Sequence, residues 1–534
     1  MRPDGRGTPA FVRRSLGALP PVSPQQSRRD FLGTIAGSVA GASAALVGLS
    51  CKSGPIIVGG FADDGGAAGH LLRDNAPLGQ VRERVRVPLV IVGGGIAGLS
   101  AAWWCERQGM RDYVVLELES EAGGNSRSGR NEIGEYPWGA HYVPVPNQRA
   151  TLVRTLFEEL GVLANGQWNE RALCFSPQER LFWRGRWHEG FEPFLLDAPD
   201  GRAEWPRFAA QLDTLRATGQ FTIPLADGAP ASSPLDAITL AQWLDREGYR
   251  SAALRWYADY ACRDDYGTSA RETSAWAGLH YFAAREHDEQ GPLTWPAGNG
   301  WIVERLIERV GARVRTGAAA RRVTPTRLGA VVRTATTEFT ADAVVWAAPL
   351  LLAPRIIDGF TLPIDVTYAP WLVANCVLER WPADQGAAPA WDNTIVDSPG
   401  LGYVVSTHQQ VARAGARTVW TYYRSFADAT PTAARQRLAQ RPWHEWVEEI
   451  VADLERAHTD IRACVSRIDI RRFGHAMARP LPGFLAASWR RALGNSSGPV
   501  WYGHADLSGI SIFEEAQERG IRAAQSALAR LGHR

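Results

Sequence analysis

The sequence predicts an α/β fold, and three features of residues 89–117 carry this prediction. First, Leu89 to Val92 is an apolar run with the length and composition of a buried parallel strand. Second, a glycine-rich turn and a helix-like run to Gln108 follow it, and Gly109 stands where a helix commonly ends. Third, another apolar run, Tyr113 to Leu116, ends at an acidic residue. A strand, a helix and a second strand in this order predict a Rossmann-like βαβ unit.

The turn between the first strand and the helix follows the pattern G-x-G-x-x-G. We expect Gly93 to make the tight turn, Gly95 to let the backbone approach a pyrophosphate, and Gly98 to let the helix pack closely on the strand. Ile96 and Ala97 open the helix, whose N-terminal N–H groups attract phosphate oxygens. These five residues are therefore predicted to bind a dinucleotide.

Glu117 supports the same interpretation from the end of the second strand. It lies 19 residues beyond Gly98, where a carboxylate can accept hydrogen bonds from ribose hydroxyls. A glycine turn alone is weak evidence, since glycine-rich loops also occur in unrelated sheets. Here the strand, turn, helix, second strand and acid all occur in order, which favours dinucleotide binding.

Shortly after this acid the sequence reads Gly123-Gly124-Asn125-Ser126-Arg127, and here it resembles the flavin-dependent amine oxidase superfamily. That superfamily includes monoamine and polyamine oxidases, protoporphyrinogen oxidase and carotenoid desaturases, whose Gly-Gly-Arg segment wraps the diphosphate of FAD. The resemblance implies FAD as the cofactor, with contacts at Gly124, Asn125, Ser126 and Arg127. Asn125 replaces the usual arginine, and Arg127 is expected to serve instead.

A second segment that resembles the superfamily is Tyr136 to Tyr142. In the family, small residues followed by a histidine or asparagine bring the backbone close to the isoalloxazine ring. Gly139 and Ala140 are thus implied to contact the flavin. His141 is implied to contact flavin or substrate, as a candidate catalytic residue; the alternative is a histidine bonded within its own loop.

Two later segments are implied to complete the FAD site. Ala320 matches a position where the family's backbone contacts the adenine. Near the C-terminus, an apolar strand leads into Gly503, His504 and Asp506, and then into a helix. In the family a glycine and a carboxylate of this region hold the ribitol and diphosphate, which implies such roles for Gly503 and Asp506. His504 is the alternative contact.

The resemblance also implies the domain organisation. A Rossmann-like FAD-binding domain of the GR2 type is expected to be interleaved with an α+β substrate domain. The FAD-binding domain comprises 88–149, 293–354 and 495–534, the substrate domain comprises 150–292 and 355–494, and a leader at 1–51 and a linker at 52–87 precede them.

The first 51 residues have the features of a twin-arginine export signal. Ser27 to Leu32 contains the paired arginines, and a weakly apolar run rich in glycine and alanine follows to Ser50. The alternative is an uncleaved membrane anchor, but glycines and serines make this run a poor lipid-facing helix. Cys51 ends a segment that resembles a lipobox, so it is either a lipid attachment site or an ordinary thiol. We therefore expect a protein of the periplasm or cell envelope.

Composition sets limits on other functions. At 534 residues the chain can form two or three domains with substantial cores. A net charge of +2 gives no indication of nucleic-acid binding. Six cysteines with no C-x-x-C pair predict neither a metal site nor a disulfide scaffold. The expected partner is a small-molecule substrate, and the electron acceptor stays open.

The family's chemistry draws attention to one further position. Many amine oxidases hold a water against flavin N5 with a lysine, but the single lysine of this chain is Lys52, beside the leader. Comparison with the family places Asn375 at that position, where an amide can hold a water but cannot act as a base. Asn375 is thus a candidate catalytic residue; the alternative is a structural asparagine at a strand edge.

Three functions stay open at this point. The first is oxidation of a C–N bond in an amine or polyamine. The second is a desaturase- or isomerase-like reaction on an apolar C–C substrate, which the missing lysine and the 21 tryptophans favour. The third is a flavin-bearing binding protein without turnover. An acidic pocket mouth would favour amine oxidation, a long apolar tunnel would favour the C–C reaction, and a flavin sealed from solvent would favour the binding protein. We rank amine oxidation narrowly above the C–C reaction.

One acidic pair bears on that choice. Asp264 and Asp265 are adjacent, and adjacent side chains on a helix or strand point in different directions. We expect a helix cap and a surface charge rather than a catalytic pair. If the substrate is a cation, one of the two carboxylates is a candidate partner.

Overall fold

The computed structural model describes residues 56–532 apart from 63–65, 75–76, 226–231, 286–290 and 411–415. The leader predicted at 1–51, including Cys51, lies outside the described residues. Two large sheets organise the described chain, and each takes its strands from widely separated parts of the sequence. Among these residues, none of the helices combines the length and apolar character needed to cross a bilayer.

A seven-stranded sheet contains the predicted βαβ unit. Its central strands are parallel, and their ends nearest the glycine turn are fully buried, as expected for parallel strands covered on both faces. Across the sheet the strands are Val314–Arg315, Tyr113–Leu116, Glu83–Val92, Thr337–Trp346, Ala330–Arg333 and Arg322–Pro325, with Val500–Tyr502 beside the second half of Thr337–Trp346.

An eight-stranded sheet, mostly antiparallel, lies in the parts of the chain predicted as substrate domain, apart from its first edge strand. Across the sheet the strands are Val58–Phe61, Val465–Arg479, Thr367–Leu378, Thr418–Ser425, Gly402–Val405, Asp392–Ile395, Glu179–Trp183 and Arg186–Glu189. Short strand pairs join Ser128–Arg130 to Glu135–Pro137, Tyr142–Val143 to Leu293–Thr294, and Leu163–Ala164 to Gln167–Trp168.

Helices cover the seven-stranded sheet and form a separate apolar cluster around residues 208–284. Their bounds are Gly66–Arg73, Ile96–Arg107, Thr151–Glu159, Glu192–Leu195, Pro199–Ala217, Leu240–Arg246, Ala252–Tyr266, Ala275–Ala283, Gly300–Val310, Ala353–Ile356, Pro431–Gln440, Trp443–Glu455, Ser488–Gly494 and Phe513–Arg530.

The helix of the βαβ unit, Ile96–Arg107, crosses the C-terminal helix, Phe513–Arg530, at very short range. A Cβ atom at Gly520 would lie 2.0 Å from the carbonyl oxygen of Ala97, so only glycine allows this crossing. The contact brings the N-terminal ends of two helices from opposite ends of the chain toward one cavity.

Two predictions about secondary structure were wrong. The linker predicted at 52–87 contains, in its described part, the strand Val58–Phe61, the helix Gly66–Arg73 and the start of Glu83–Val92. Its edge strand is too short to show periodicity, and it forms only because Val465–Arg479 offers a partner. The apolar residues from Leu240 to Leu254 recur at the three- and four-residue spacing that predicts a helix. They belong to two helices instead, because Gly248 adopts a φ of +74° and Ser251 caps a new helix through the N–H of Leu254.

Candidate active site

One cavity of about 670 Å³ is lined by residues of both large sheets. Its size is in the range of cavities that hold cofactors and drug-sized ligands. The glycine turn and the ends of the parallel strands form one end. Aromatic and acidic side chains, mainly from the substrate sheet and the helix Ala252–Tyr266, form the other.

The glycine turn has the geometry predicted for binding a diphosphate. Gly95, Ile96 and Ala97 line the cavity, and the helix that starts there has no side-chain cap on its N-terminal N–H groups. A Cβ atom added to Gly95 would meet no other atom within 4 Å, so this position faces open space in the cavity. Gly93, at φ +104°, makes the turn and also lines the cavity. Uncapped N–H groups facing an open space are what an anion requires.

Gly98 does not line the cavity, and it packs against the backbone of the turn. A Cβ atom there would lie 1.8 Å from the carbonyl oxygen of Gly93. Its role is therefore the close helix–strand packing that the pattern predicts, rather than direct contact with a ligand.

Glu117 lies at the cavity wall beside the turn, where a ribose is expected. Its carboxylate accepts hydrogen bonds from the N–H of Gly94, at 2.7 Å, and from the N–H of Glu119, at 2.8 Å. Burial raises the pKa of Glu117 against these two hydrogen bonds. Each carboxylate oxygen can accept a further bond, so the side chain is held in place and can still receive ribose hydroxyls.

Only some residues of the segment 123–127, which follows Glu117, line the cavity. Gly124, Asn125 and Ser126 line it, and the side chain of Asn125 donates to the carbonyl oxygen of Ala476 at 2.7 Å. Arg127 does not line the cavity. The expectation that Arg127 replaces the family's phosphate-binding arginine was therefore wrong.

The acidic residues near Arg127 explain its position. Its guanidinium forms ion pairs with Glu119 and, at 2.8 Å, with Glu121. These carboxylates lie close to it in sequence and hold the charge away from the cavity.

Of the residues predicted to contact the adenine or the ribitol, again only some line the cavity. Ala320 and Asp506 line the cavity, whereas Gly503 does not. A Cβ atom at Gly503 would lie 2.8 Å from the Cβ of Ala523, so this glycine lets the C-terminal helix pack on the strand. The prediction that Gly503 contacts the cofactor was therefore wrong.

Asp506 is held as a charged group by its surroundings. It is 2% exposed, and it accepts hydrogen bonds from the hydroxyl of Tyr368 and, at 2.8 Å, from the N–H of Leu350. His504 lies 3.1 Å from its other oxygen. Burial opposes ionisation, but His504, Tyr368 and the N–H of Leu350 together keep the pKa of Asp506 below its usual range. A fixed carboxylate here suits a ribitol hydroxyl.

Gly139, Ala140 and His141 line the middle of the cavity, as the resemblance implied for the isoalloxazine ring. A Cβ atom at Gly139 would lie 2.3 Å from the carbonyl oxygen of Asn125, so only glycine fits. The hydroxyl of Tyr423 donates to the carbonyl oxygen of Gly139 at 2.8 Å and fixes this backbone.

His141 is an uncharged member of an aromatic wall. Burial lowers the pKa of His141 to about 4, against a hydrogen bond with Gly139, so the imidazole is neutral at pH 7. Its ring centroid lies 4.8 Å from that of Tyr423, 5.1 Å from that of Tyr142 and 5.4 Å from that of Trp391. These rings face a space in which a flavin or an amine can lie.

Asn375 does not line the cavity, although Trp371 and Val373 of the same strand do. Its side chain donates to the carbonyl oxygen of Pro137 at 3.1 Å and accepts from the hydroxyl of Thr421 at 2.7 Å. These bonds occupy the amide inside the protein. The prediction of a catalytic role for Asn375 was therefore wrong: the residue is structural, in a strand paired on both sides rather than at a strand edge.

Three carboxylates line the end of the cavity beyond the aromatic wall. Asp264 comes from the helix Ala252–Tyr266, Glu179 begins one strand and Asp392 begins its neighbour. In the parallel pairing of those strands Glu179 and Asp392 are directly opposite. Like charges in such a position destabilise a sheet, and a bound cation would offset that cost.

Burial and mutual proximity disfavour the charged forms of these three carboxyl groups. Burial, followed by the adjacent Asp265, raises the pKa of Asp264 to about 7. Burial, then Asp264 and Glu179, raises the pKa of Asp392 well above its ordinary value. Burial also raises the pKa of Glu179. A bound cation would reverse these shifts, because an opposite charge favours the ionised carboxylate.

The adjacent residue, Asp265, has a different role. It forms an ion pair with Arg285 at 3.0 Å; the side chain of Asp265 is buried and that of Arg285 is half-buried. The expectation of a helix cap and a surface charge at Asp264 and Asp265 was therefore wrong, since both lie at the cavity wall on one helix end. Glu514, fully buried at the start of the C-terminal helix, adds another carboxyl, and burial raises its pKa to about 8.

The raised pKa of Asp264 predicts a measurable cost in stability. The folded protein holds the Asp264 proton up to about pH 7, whereas an unshifted aspartate loses it near 3.8. Raising the pH through this window therefore favours the unfolded chain. We expect Asp264→Asn to stabilise the protein by about 1 kcal/mol at pH 8, and by much less at pH 4. Thermal unfolding at the two pH values measures this; an equal gain at both would contradict it.

The described residues thus fit a flavin dinucleotide from end to end. The uncapped helix N-terminus suits the diphosphate, Glu117 a ribose, and the glycine-lined backbone at Gly139 a flat ring. Asp506 suits a polyol. In the described part of the chain, no three or more His, Cys, Asp or Glu side chains are placed so that they could hold a metal ion.

Comparison with known proteins gives the same family. A family described as "Flavin containing amine oxidoreductase" matches residues 96–370. The Mycobacterium tuberculosis protein named "Putative flavin-containing monoamine oxidase AofH" is 27% identical over 305 residues, which are 53% of this chain and 61% of that protein. The dog protein named amine oxidase [flavin-containing] A is 25% identical over 240 residues, 42% of each chain. This chain thus spans about three-fifths of the length of the first relative.

A solved structure shares the fold. Wild-type putrescine oxidase bound to putrescine superimposes with a TM-score of 0.64 at 18% identity, covering 84% of this chain and all of that one. With a family match over about half of the sequence, and a cavity shaped for the dinucleotide, this chain belongs to the family of flavin containing amine oxidoreductases, and its cofactor is FAD.

Proposed function

We propose that this protein is an exported FAD-dependent amine oxidase whose substrate carries at least two cationic amino groups, as a diamine or polyamine does. The observation that carries the proposal is the set of three carboxylates, Asp264, Glu179 and Asp392, at the far end of the cavity. One amino group would bind among them while the other lies at the aromatic wall.

The charge of the cavity supports a cationic substrate. Arg285 is the sole guanidinium among the described residues that line it, and Asp265 is its partner. The remaining carboxyl groups face space without an equivalent positive charge from the lining. In confined surroundings an ion pair with a substrate ammonium is stronger than in water, so this end of the cavity selects for positive charge.

The aromatic wall suits the amino group that reacts. Tyr423, Trp391 and Tyr142 surround a neutral His141, so the imidazole adds no positive charge to repel an amine. Ring faces attract an ammonium and also accept the neutral amine. FAD, when bound, accepts the hydride from the carbon next to nitrogen. The chain's own contribution is to orient that carbon and to exclude water.

Two further features agree with the proposal. The putrescine oxidase that shares this fold binds a diamine in its solved structure. The paired arginines and apolar run of the leader favour export through the twin-arginine route, which carries folded proteins with their cofactors in place. We propose the periplasm or cell envelope as the location, with lipid attachment at Cys51 as one possible mode of retention.

Anaerobic reduction of the bound flavin tests the function. The purified yellow protein would be mixed, without oxygen, with 1,4-diaminobutane, with n-butylamine and with a linear polyene, and the loss of absorbance near 450 nm followed. We expect rapid bleaching by the diamine and slower bleaching by the monoamine.

The other outcomes separate the alternatives. Bleaching by the polyene alone would replace the proposal with the C–C reaction. No bleaching by any compound would favour a binding protein. Equal bleaching by the two amines would keep the amine oxidase and remove the second cation from the proposal.

A further inference from the structure

The segment 56–82, ahead of the βαβ unit, connects the two large sheets. At one end the strand Val58–Phe61 pairs in parallel with residues 467–470 of the eight-stranded sheet. At the other end, the N–H of Arg82 donates to the carbonyl oxygen of Thr336 at 2.8 Å, beside the seven-stranded sheet. The segment is therefore attached at both of its described ends.

The sequence of this segment is specific for that attachment. Gly59 adopts a φ of +144°, and a Cβ atom there would lie 1.9 Å from the carbonyl oxygen of Ile468. Phe61 packs below the guanidinium of Arg472, whose central carbon lies 3.7 Å from the ring centroid. Only glycine permits the contact at position 59, so this strand is specifically adapted to pair with the eight-stranded sheet.

Between the two attachments, the helix Gly66–Arg73 reaches the cofactor cavity. Leu72 lines the cavity together with Ala319, Ala320, Leu352 and Ile356. It also packs against the apolar cluster that contains Ala320 and Ile356. Ala320 is the residue implied to contact the adenine. The helix thus supplies an apolar wall at the adenosine end of the cavity.

The helix is fixed at its C-terminal end as well. The guanidinium of Arg355 donates to the carbonyl oxygen of Arg73 at 3.1 Å. A cation at the last carbonyl groups of a helix is stabilising. Leu71, the preceding residue, is 49% exposed and is not among the residues that line the cavity. The two neighbouring leucines therefore have different surroundings, one at the cavity and one in solvent.

We propose that the helix Gly66–Arg73 is a strap that retains FAD, with Leu72 closing the adenosine end of the cavity. Because both ends of the segment are docked on the sheets, the cofactor can leave past this end only when the helix moves. Leu72 acts by covering apolar surface of the bound nucleotide, and it takes no part in the reaction.

FAD release from the loaded protein tests the strap. Holoenzyme would be diluted into FAD-free buffer, and the rise of flavin fluorescence followed as the cofactor leaves. We expect Leu72→Ala to release FAD about tenfold faster than the unaltered protein, since it removes apolar contact equivalent to a tenfold change in binding. Leu71→Ala, on the same helix turn, is the matched control and should differ from the unaltered protein by less than twofold.

Thermal unfolding separates retention from general stability. If Leu72 contacts FAD, Leu72→Ala should lower the melting temperature of the holoenzyme more than that of the apoenzyme. Arg355→Ala, which frees the end of the helix, should also speed release. The inference is overturned if Leu72→Ala releases FAD at the rate of Leu71→Ala. It is also overturned if Leu72→Ala lowers the melting temperature of the holoenzyme and of the apoenzyme by the same amount. These outcomes do not depend on which substrate the enzyme oxidises.

Discussion

Gly95→Leu will give a folded protein that does not retain FAD. Gly95 has φ −75° and ψ −173°, an extended conformation that any residue can adopt. A Cβ atom there would touch nothing within 4 Å, so the backbone and its surroundings accept the start of a side chain at this position. The added side chain would instead occupy the cavity at the helix N-terminus, where we expect the diphosphate to lie. Each charge-assisted hydrogen bond lost costs about 1.5–3 kcal/mol, so we expect affinity to fall at least about a hundredfold.

Flavin absorbance after purification and titration of apoprotein with FAD measure this effect, and circular dichroism checks that the variant is folded. Gly494→Leu is the matched control. Gly494 is an exposed residue at the end of the helix Ser488–Gly494, and a Cβ atom there also meets nothing within 4 Å, but it lies outside the cavity lining. A Gly95→Leu protein that purifies yellow would show that the diphosphate does not lie over this turn.

Asp392→Asn will weaken oxidation of a diamine far more than oxidation of a monoamine. Asp392 lines the acidic end of the cavity, opposite Glu179 across two strands, and asparagine has nearly the same shape without the charge. If the second ammonium of the substrate lies there, its ion pair is lost. A hydrogen bond between charged groups contributes about 1.5–3 kcal/mol, so kcat/KM for 1,4-diaminobutane should fall about ten- to a hundredfold.

Stopped-flow reduction of the flavin gives the rate for each amine separately from the step with the electron acceptor. The value for n-butylamine should change less than threefold, because its single amino group lies at the aromatic wall. Glu308→Gln, on the surface of the helix Gly300–Val310, is the control for loss of one negative charge at a distance. An equal loss for diamine and monoamine would indicate that Asp392 supports the fold or the cofactor instead.

The FAD-binding motif shows how far local sequence can lead. Residues 89–117 predict a strand, a turn, a helix and a strand, and the structure has Glu83–Val92, Ile96–Arg107 and Tyr113–Leu116. These assignments depend on periodicity and on glycines whose neighbours in sequence are also their neighbours in space. For the same reason, Gly93, Gly95 and Glu117 lie where the pattern places them.

Two of the residues that were placed wrongly have partners from elsewhere in the chain. Asn375 has the correct strand but bonds to Pro137 and Thr421, and Gly503 packs on Ala523. Arg127 pairs with two acids that precede it in sequence. These carboxylates compete with a phosphate for the guanidinium, and the motif gives no sign of this competition. Each residue type was compatible with its predicted role, and the packing around it decided otherwise.

The βαβ unit, the expected place of the dinucleotide and the resemblance to the family could all be read from the residues alone, because these depend on backbone turns and hydrogen bonds between near neighbours. That Asp264, Glu179 and Asp392 share one cavity, and that Leu72 also lines it, follows only from the fold. No local pattern joins these residues. They meet because two sheets, each built from distant strands, enclose a common space, and the energy of a charge or an apolar side chain depends on what else faces that space.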